Sequence, residues 1–218
     1  AGVVDDQDRL IGRITADDIV WVLQEEAEED ILRLGGVSET EMNQSIVKST
    51  KKRFIWLFLN LLTAILASIV ISFFDASIEK MVALAILMPI VASMGGNAGT
   101  QTLTLTVRSL ATKELVDTNR RKVFIKEISI SILNGFIFAV LTSLATILWF
   151  NDTSLALIVG AAMIINIFSA GLFGFLIPYS LNYFKIDPAL ASSVFVTTVT
   201  DVFGFLSFLG LASLFLFS

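Results

Sequence analysis

The sequence of 218 residues contains no cysteine and no histidine. A disulfide framework, a structural zinc site and thiol or imidazole catalysis are therefore excluded. Charge is also scarce: only 16% of residues are Asp, Glu, Lys or Arg, against 55% hydrophobic and a mean hydropathy of +0.81. That balance is too apolar for an ordinary soluble domain and points to a membrane protein. The net charge of -5 argues against nucleic acid as a partner. The chain opens on Ala1, without a basic region, an apolar core and a small-residue cleavage site, and reads as a piece of a longer protein.

The few charges are unevenly placed. Of the 20 acidic residues, 12 precede residue 54, whereas from Ile128 onward the Asp, Glu, Lys and Arg residues are Asp152, Lys185, Asp187 and Asp201 alone. The pattern predicts a soluble head and a membrane body. Apolar stretches long enough to cross a bilayer, which takes about 20 residues, run over 54–74, 81–107, 125–150, 155–183 and 189–217. Five spans place the chain ends on opposite sides. Lys48, Lys51, Lys52 and Arg53, the loop carrying Arg108, Lys113, Arg120, Arg121, Lys122 and Lys126, and Lys185 gather most of the basic residues on one side. The positive-inside rule makes that side, and the head, cytoplasmic, with the C-terminus outside.

The head, residues 1–20, reads as an apolar pair, a charged turn, a second apolar run, and then Asp17 and Asp18 opening a helix, where carboxylates suit the dipole. Alone it is too short to close a core. Residues 21–53 form an acidic connector helix and linker, with the helix ending at Gly35 and Gly36. Glu25, Glu26, Glu28, Glu29 and Asp30 form either a solvated face or a cluster whose mutual repulsion a divalent cation relieves, which would make the connector a sensor.

Within the body, residues 54–218, polar groups are costly and therefore informative. Asp201 is the one ionisable residue deep within a span, where insertion costs about 2.5–3.5 kcal/mol. Ser193, Thr197, Asp201 and Gly204 fall on one helical stripe. The stretch MPIVASMGGNAGTQTLTLTVR, residues 88–108, places Asn97, Gln101, Thr104 and Arg108 on a second stripe with Thr100 beside it. Its Gly95, Gly96 and Gly99 remove bulk where another backbone approaches. Pro89 weakens the helix just before, and irregular backbone at membrane depth is tolerated only in protein or beside water. Close helix packing explains both stripes less economically than a water-lined path. Glu127, Ser131 and Asn134 make a third stripe, in which Glu127 suits either a pore role or an interfacial pairing with Lys126 or Arg121. Asn166 reads first as a helix-packing amide. These surfaces offer oxygen and almost no nitrogen base or sulfur, which favours hard cations. One carboxylate is too few to strip a divalent ion, but it suits Mg2+, which dehydrates reluctantly.

At these residues the sequence resembles the MgtE family of magnesium channels. The run P-x-x-x-x-M-G-G-N-x-G-x-Q stands as Pro89, Met94, Gly95, Gly96, Asn97, Gly99 and Gln101, and the last-span signature as DPALASSVFVTTVTD, residues 187–201. The hairpin and its T-x-D-D pattern are similar to the tail of a CBS domain. The resemblance implies an all-α membrane protein of five transmembrane helices per subunit, preceded by an acidic cytoplasmic connector helix and the end of a CBS domain. It implies a homodimer in which Asp201 from both subunits holds hydrated Mg2+, Thr197 and Ser193 help line the metal site, and Asn97, Thr100 and Gln101 border the pore; Gly96, Gly204 and Asn166 are further pore-lining candidates. It further implies that cytoplasmic Mg2+, bound among acids such as those of the connector, closes the pore, with Glu127 a candidate gating residue and ATP a candidate ligand of the CBS part. Two departures stand out: Ser193 and Val194 replace an Asn-Pro or Gly-Pro pair of many relatives, and Thr100 replaces Asn of some. The leading reading is a Mg2+-selective channel rather than an enzyme. An exchanger coupled to H+ or Na+ and a membrane-anchored signalling module are the alternatives.

Overall fold

The computed structural model describes residues 1–37, 44–116 and 118–216, and only the backbone of 23, 24, 26–28, 30, 31, 190 and 191. The chain divides into two compact units, Ala1–Phe54 and Ile55–Ser218.

In the first unit, strands β1 (Gly2–Val4) and β2 (Leu10–Arg13) pair antiparallel with a bulge between Val3 and Val4. Asp5 closes the turn by accepting hydrogen bonds from the N–H groups of Gln7 and Arg9, and Asp8 takes a left-handed φ of 58°. Helix α1 (Ala16–Leu34) begins beside Asp17 and Asp18, which the sequence predicts to open a helix, because Thr15 and Asp18 form a capping box. Thr15 Oγ1 accepts from the Asp18 N–H, while the Asp18 carboxylate accepts from the Thr15 N–H at 2.8 Å and its hydroxyl at 2.7 Å. No described side chain of this unit is buried: Leu10, Ile11 and Trp21 are each about two thirds exposed or more.

The Thr15 N–H, and then its hydroxyl, hold the Asp18 carboxyl below its ordinary range. A depressed folded pKa contributes stability that is present above the unfolded value and lost as pH falls through the folded one. Acidification below about pH 4 is therefore expected to loosen the first turn of α1. Thr15→Ala, which removes an N-cap typically worth about 1 kcal/mol, makes those amides exchange several-fold faster at neutral pH and flattens the acid step. Hydrogen exchange across α1, corrected for its intrinsic pH dependence, checks this; equal protection in both proteins at every pH would show that the box contributes nothing.

The second unit is helical: α2 (Ile46–Ser72, which starts in the first unit), α3 (Asp75–Lys80), α4 (Ala83–Ala111), α5 (Arg120–Phe150), α6 (Thr153–Tyr183) and α7 (Pro188–Leu216). Among the described residues, five helices are long and apolar enough to cross a membrane, as the sequence predicts. The bounds differ in instructive ways. Helix α2 starts eight residues before the expected span, since Lys48, Lys51, Lys52 and Arg53 end an apolar run without ending a helix. The short α3, with Asp75 in its first turn and Lys80 in its last, was not expected. Helix α4 runs unbroken through Pro89 and the three glycines, so no irregular backbone occurs there.

Helix α6 is central: it packs on α4, α5 and α7, and 67% of its most apolar stretch is buried, against 11% for α2. The core comprises Leu84, Leu87 and Val91 of α4, Leu155, Val159, Met163 and Ile167 of α6, and Phe208 and Leu209 of α7. Glycines set the helix spacing. A Cβ on Gly171 would come within 2.6 Å of Ser131 Cβ, and one on Gly135 within 3.3 Å of the Ile164 Cα, so α5 and α6 meet almost backbone to backbone. Lys113, Asn151 and Lys185, all at positive φ, turn the chain just past the ends of α4, α5 and α6.

Candidate functional site

Asp201 lies near the middle of α7, 13 residues from its first residue and 15 from its last, hence about 20 Å from either end. It is half-buried, and among the described residues it makes no hydrogen bond or ion pair. A carboxylate in that position without a protein partner requires a cation, water or a proton to meet it. Thr197 and Ser193, one and two turns earlier, are also half-buried. The Thr197 hydroxyl donates to the carbonyls of Ser193 (3.0 Å) and Val194 (3.1 Å). Its proton is therefore spent within the helix, and its lone pairs remain for an outside donor.

The neighbouring surface belongs to α4. A Cβ on Gly99 would lie 2.6 Å from Val196 Cγ1 and 3.4 Å from Thr200 Cγ2, so α7 rests directly on Gly99. Asp201 follows Thr200 and so stands at the depth of the Asn97–Gln101 turn. One side of α4 is packed, with Val91, Gly95, Gly99, Leu103 and Thr106 buried, while Ser93, Asn97, Thr100, Gln101, Thr104 and Arg108 are exposed. Nothing lies within 4 Å of a Cβ placed on Gly96. Thr100 and Thr104 donate to the carbonyls of Gly96 and Thr100, again leaving acceptor oxygens outward. Lipid cannot satisfy such a stripe; water, an ion path or a second protein surface can.

Asn166 and Gly204 differ from the rest of the predicted pore set, for both are buried among the helices of this chain. Asn166, fully enclosed, donates through Nδ2 to the Val91 carbonyl at 2.7 Å. A Cβ on Gly95 would fall 2.2 Å from that nitrogen and one on Gly204 2.7 Å from it, so the amide ties α4, α6 and α7 together. Glu127 is buried, and its carboxylate accepts from Thr102 Oγ1 of α4 at 3.3 Å rather than pairing with Lys126 or Arg121. Ser131, which donates to the Glu127 carbonyl, is buried beside it. On α1, Glu25 is exposed and Glu29 pairs with Arg33, while the side chains of Glu26, Glu28 and Asp30 lie outside the described residues. No group of three or more acidic side chains close enough to hold a metal occurs among the described residues. Sequence reasoning passed over Ser93, whose Oγ is 3.5 Å from Asn97 Nδ2, although it sits four residues before Asn97 on the same stripe. It also passed over Thr102, because a threonine in a threonine-rich run carries no signal of its partner.

The hydrogens of a hydrated cation's water shell need acceptors held at fixed positions. A carboxylate, threonine oxygens turned outward and side-chain amides supply them without replacing the water. Fold and site together define a multi-pass helical membrane protein with a polar, oxygen-rich surface at mid-membrane depth. The sequence profile of the MgtE family, described as divalent cation transporter, matches residues 88–211, which include both stripes. The chain belongs to that family. It is 36% identical over 217 residues to the magnesium transporter MgtE of Thermus thermophilus, covering 98% of this chain and 48% of that protein. It is 30% identical over 217 residues to the MgtE of Bacillus subtilis (99% of this chain, 48% of the relative). It is 32% identical over 214 residues to that of Enterococcus faecalis (98% and 47%). The chain thus spans about half the length of the curated relatives it matches.

Proposed function

We propose that this chain forms the membrane part of a Mg2+ channel that admits the ion to the cytoplasm down its electrochemical gradient. The observation that carries the reading is Asp201: a half-buried carboxylate at mid-helix, without a protein partner among the described residues, at the depth of the uncovered amide and hydroxyl stripe of α4. The names of the relatives support Mg2+ as the ion. Two copies complete the path. In one copy the α4 stripe is open, and because lipid cannot satisfy its amides and hydroxyls, that surface seeks a partner. Across a two-fold axis, Asp201, Thr197 and Ser193 of each copy hold the hydrated ion by its water shell, and Asn97, Thr100, Gln101 and Gly96 border the passage. Asn166 and Gly204 act behind this surface, setting the spacing of α4 and α7.

In this reading the basic ends of α2, α4, α5 and α6 lie in the cytoplasm, and the β1–β2 hairpin is the end of a CBS domain. The acidic residues of α1, Glu25 and Glu29 among them, bind cytoplasmic Mg2+ and close the path, and Glu127 couples α5 to α4 during that change. No covalent chemistry is needed.

The test is ionic current or dye-reported Mg2+ entry in proteoliposomes under an imposed inside-negative potential, which is worth about 2.3 kcal/mol per charge per 100 mV. A flux that reverses at the Mg2+ equilibrium potential whatever the pH and Na+ gradients is expected. Entry that requires a H+ or Na+ gradient would replace the channel with an exchanger, and absence of flux would favour a signalling module.

A further inference from the structure

Away from the polar stripes, the ends of α4, α5 and α6 enclose a crevice of about 370 Å3. Its polar lining comes from Arg120, Tyr179, Asn182 and Tyr183, and its apolar wall includes Leu110 and Leu115. We propose that this crevice binds the phosphate of an anionic phospholipid headgroup.

The guanidinium of Arg120 is held in place. It donates a hydrogen bond to the Tyr179 hydroxyl and lies over the same ring, 5.2 Å from its centroid. Tyr179 in turn stacks on Phe175 at 6.0 Å and 12°, and Phe175 packs on Phe124 at 5.2 Å. An aromatic column thus orients a fork-shaped, permanently charged group of the kind that recognises phosphate oxygens. Ordering an arginine costs rotamer entropy, which here is lost before any ligand arrives.

The position selects a lipid over a soluble anion. Leu110 lies in the last turn of α4, Arg120 opens α5 and Tyr183 ends α6, so the crevice sits at the ends of three spanning helices, at headgroup level. Tyr179 and Tyr183 are the two tyrosines of the chain, and both lie here, as interfacial anchors do. Between residues 108 and 126 the sequence holds six basic residues against Glu114 and Asp117, which adds an attractive field on the same side. The apolar wall then accommodates the glycerol and upper chain atoms beside the phosphate.

The test is thermal unfolding of the detergent-solubilised protein with phosphatidylglycerol or phosphatidylcholine, and lipid retention by native mass spectrometry. Phosphatidylglycerol is expected to raise the melting temperature more than phosphatidylcholine does. Arg120→Gln should weaken retained phosphatidylglycerol about tenfold, with Arg120→Lys intermediate because the charge survives and the fork does not. Lys122→Gln, which removes a neighbouring charge outside the crevice, should change little. Equal losses in Arg120→Gln and Lys122→Gln would mean diffuse surface attraction and overturn the site. Complete displacement by inorganic phosphate would make it a soluble-anion site and overturn the lipid assignment. Should Arg120→Gln fail to fold, Tyr179→Phe carries the test, since it keeps the ring and removes only the hydroxyl; an unchanged retention there would likewise refute a positioned guanidinium. None of these readouts depends on ion flux, so the outcome is separate from the transport reading.

Discussion

Asp201→Asn abolishes potential-driven Mg2+ entry into proteoliposomes, to at least about tenfold below the native rate, while the protein keeps its melting temperature. The substitution preserves size, removes the charge and turns one acceptor oxygen into an NH2 donor. At an effective dielectric of about 20 and roughly 5 Å, a carboxylate and a divalent ion attract by about 7 kcal/mol. Removing that term twice in a dimer exceeds what threonine and amide oxygens replace. Stability should hold or rise, because a charge at mid-membrane without a protein partner among the described residues costs folding energy.

The stability half of the experiment separates the rival roles of Asp201. A carboxylate that merely packs helices would, on replacement, lower the melting temperature and leave flux intact. Loss of flux without loss of stability places the charge on the ion's path. Thr197→Val is the milder companion: its hydroxyl proton is already spent on the Ser193 and Val194 carbonyls, so the change removes acceptor lone pairs. Its flux should fall less than that of Asp201→Asn, because a neutral oxygen contributes less than a charge.

The sequence made some features legible and hid others for physical reasons. Apolar run length revealed the five spans, since membrane thickness imposes it. It misplaced the start of α2, because a helix propagates into water on backbone hydrogen bonds while hydropathy ends at Lys48 to Arg53. The 3.6-residue period gathered Asn97, Gln101, Thr104 and Arg108 on one side of α4, and all four are exposed together. Glycines and Pro89 in the same stretch read as a break, yet α4 is continuous, because the missing side chains are taken up by α6 and α7 pressing against it. Periodicity also put Gly204 on the Asp201 stripe without revealing that Asn166 occupies the space before it. A side-chain amide in an apolar helix announces a partner but not which neighbour supplies it.

That amide carries the second large effect. Gly95→Ala would place a methyl 2.2 Å from Asn166 Nδ2 and 2.6 Å from its carboxamide carbon, contacts that the enclosed side chain cannot relieve by turning away. Overpacking of this kind costs about 1–3 kcal/mol, and displacing Asn166 also forfeits its bond to the Val91 carbonyl, worth about 1 kcal/mol. Asn166→Ala alone is milder than its burial implies, because Oδ1 has no partner among the described residues and its removal relieves an unsatisfied oxygen. The double variant should then be more stable than the sum of the two single losses predicts, by about 1–3 kcal/mol, as the space left by the amide receives the new methyl. Thermal unfolding of the four proteins measures that coupling. Strict additivity would mean that α4 and α6 part readily at this level, and that Gly95 and Asn166 do not set the separation on which the Asn97 stripe and Asp201 depend.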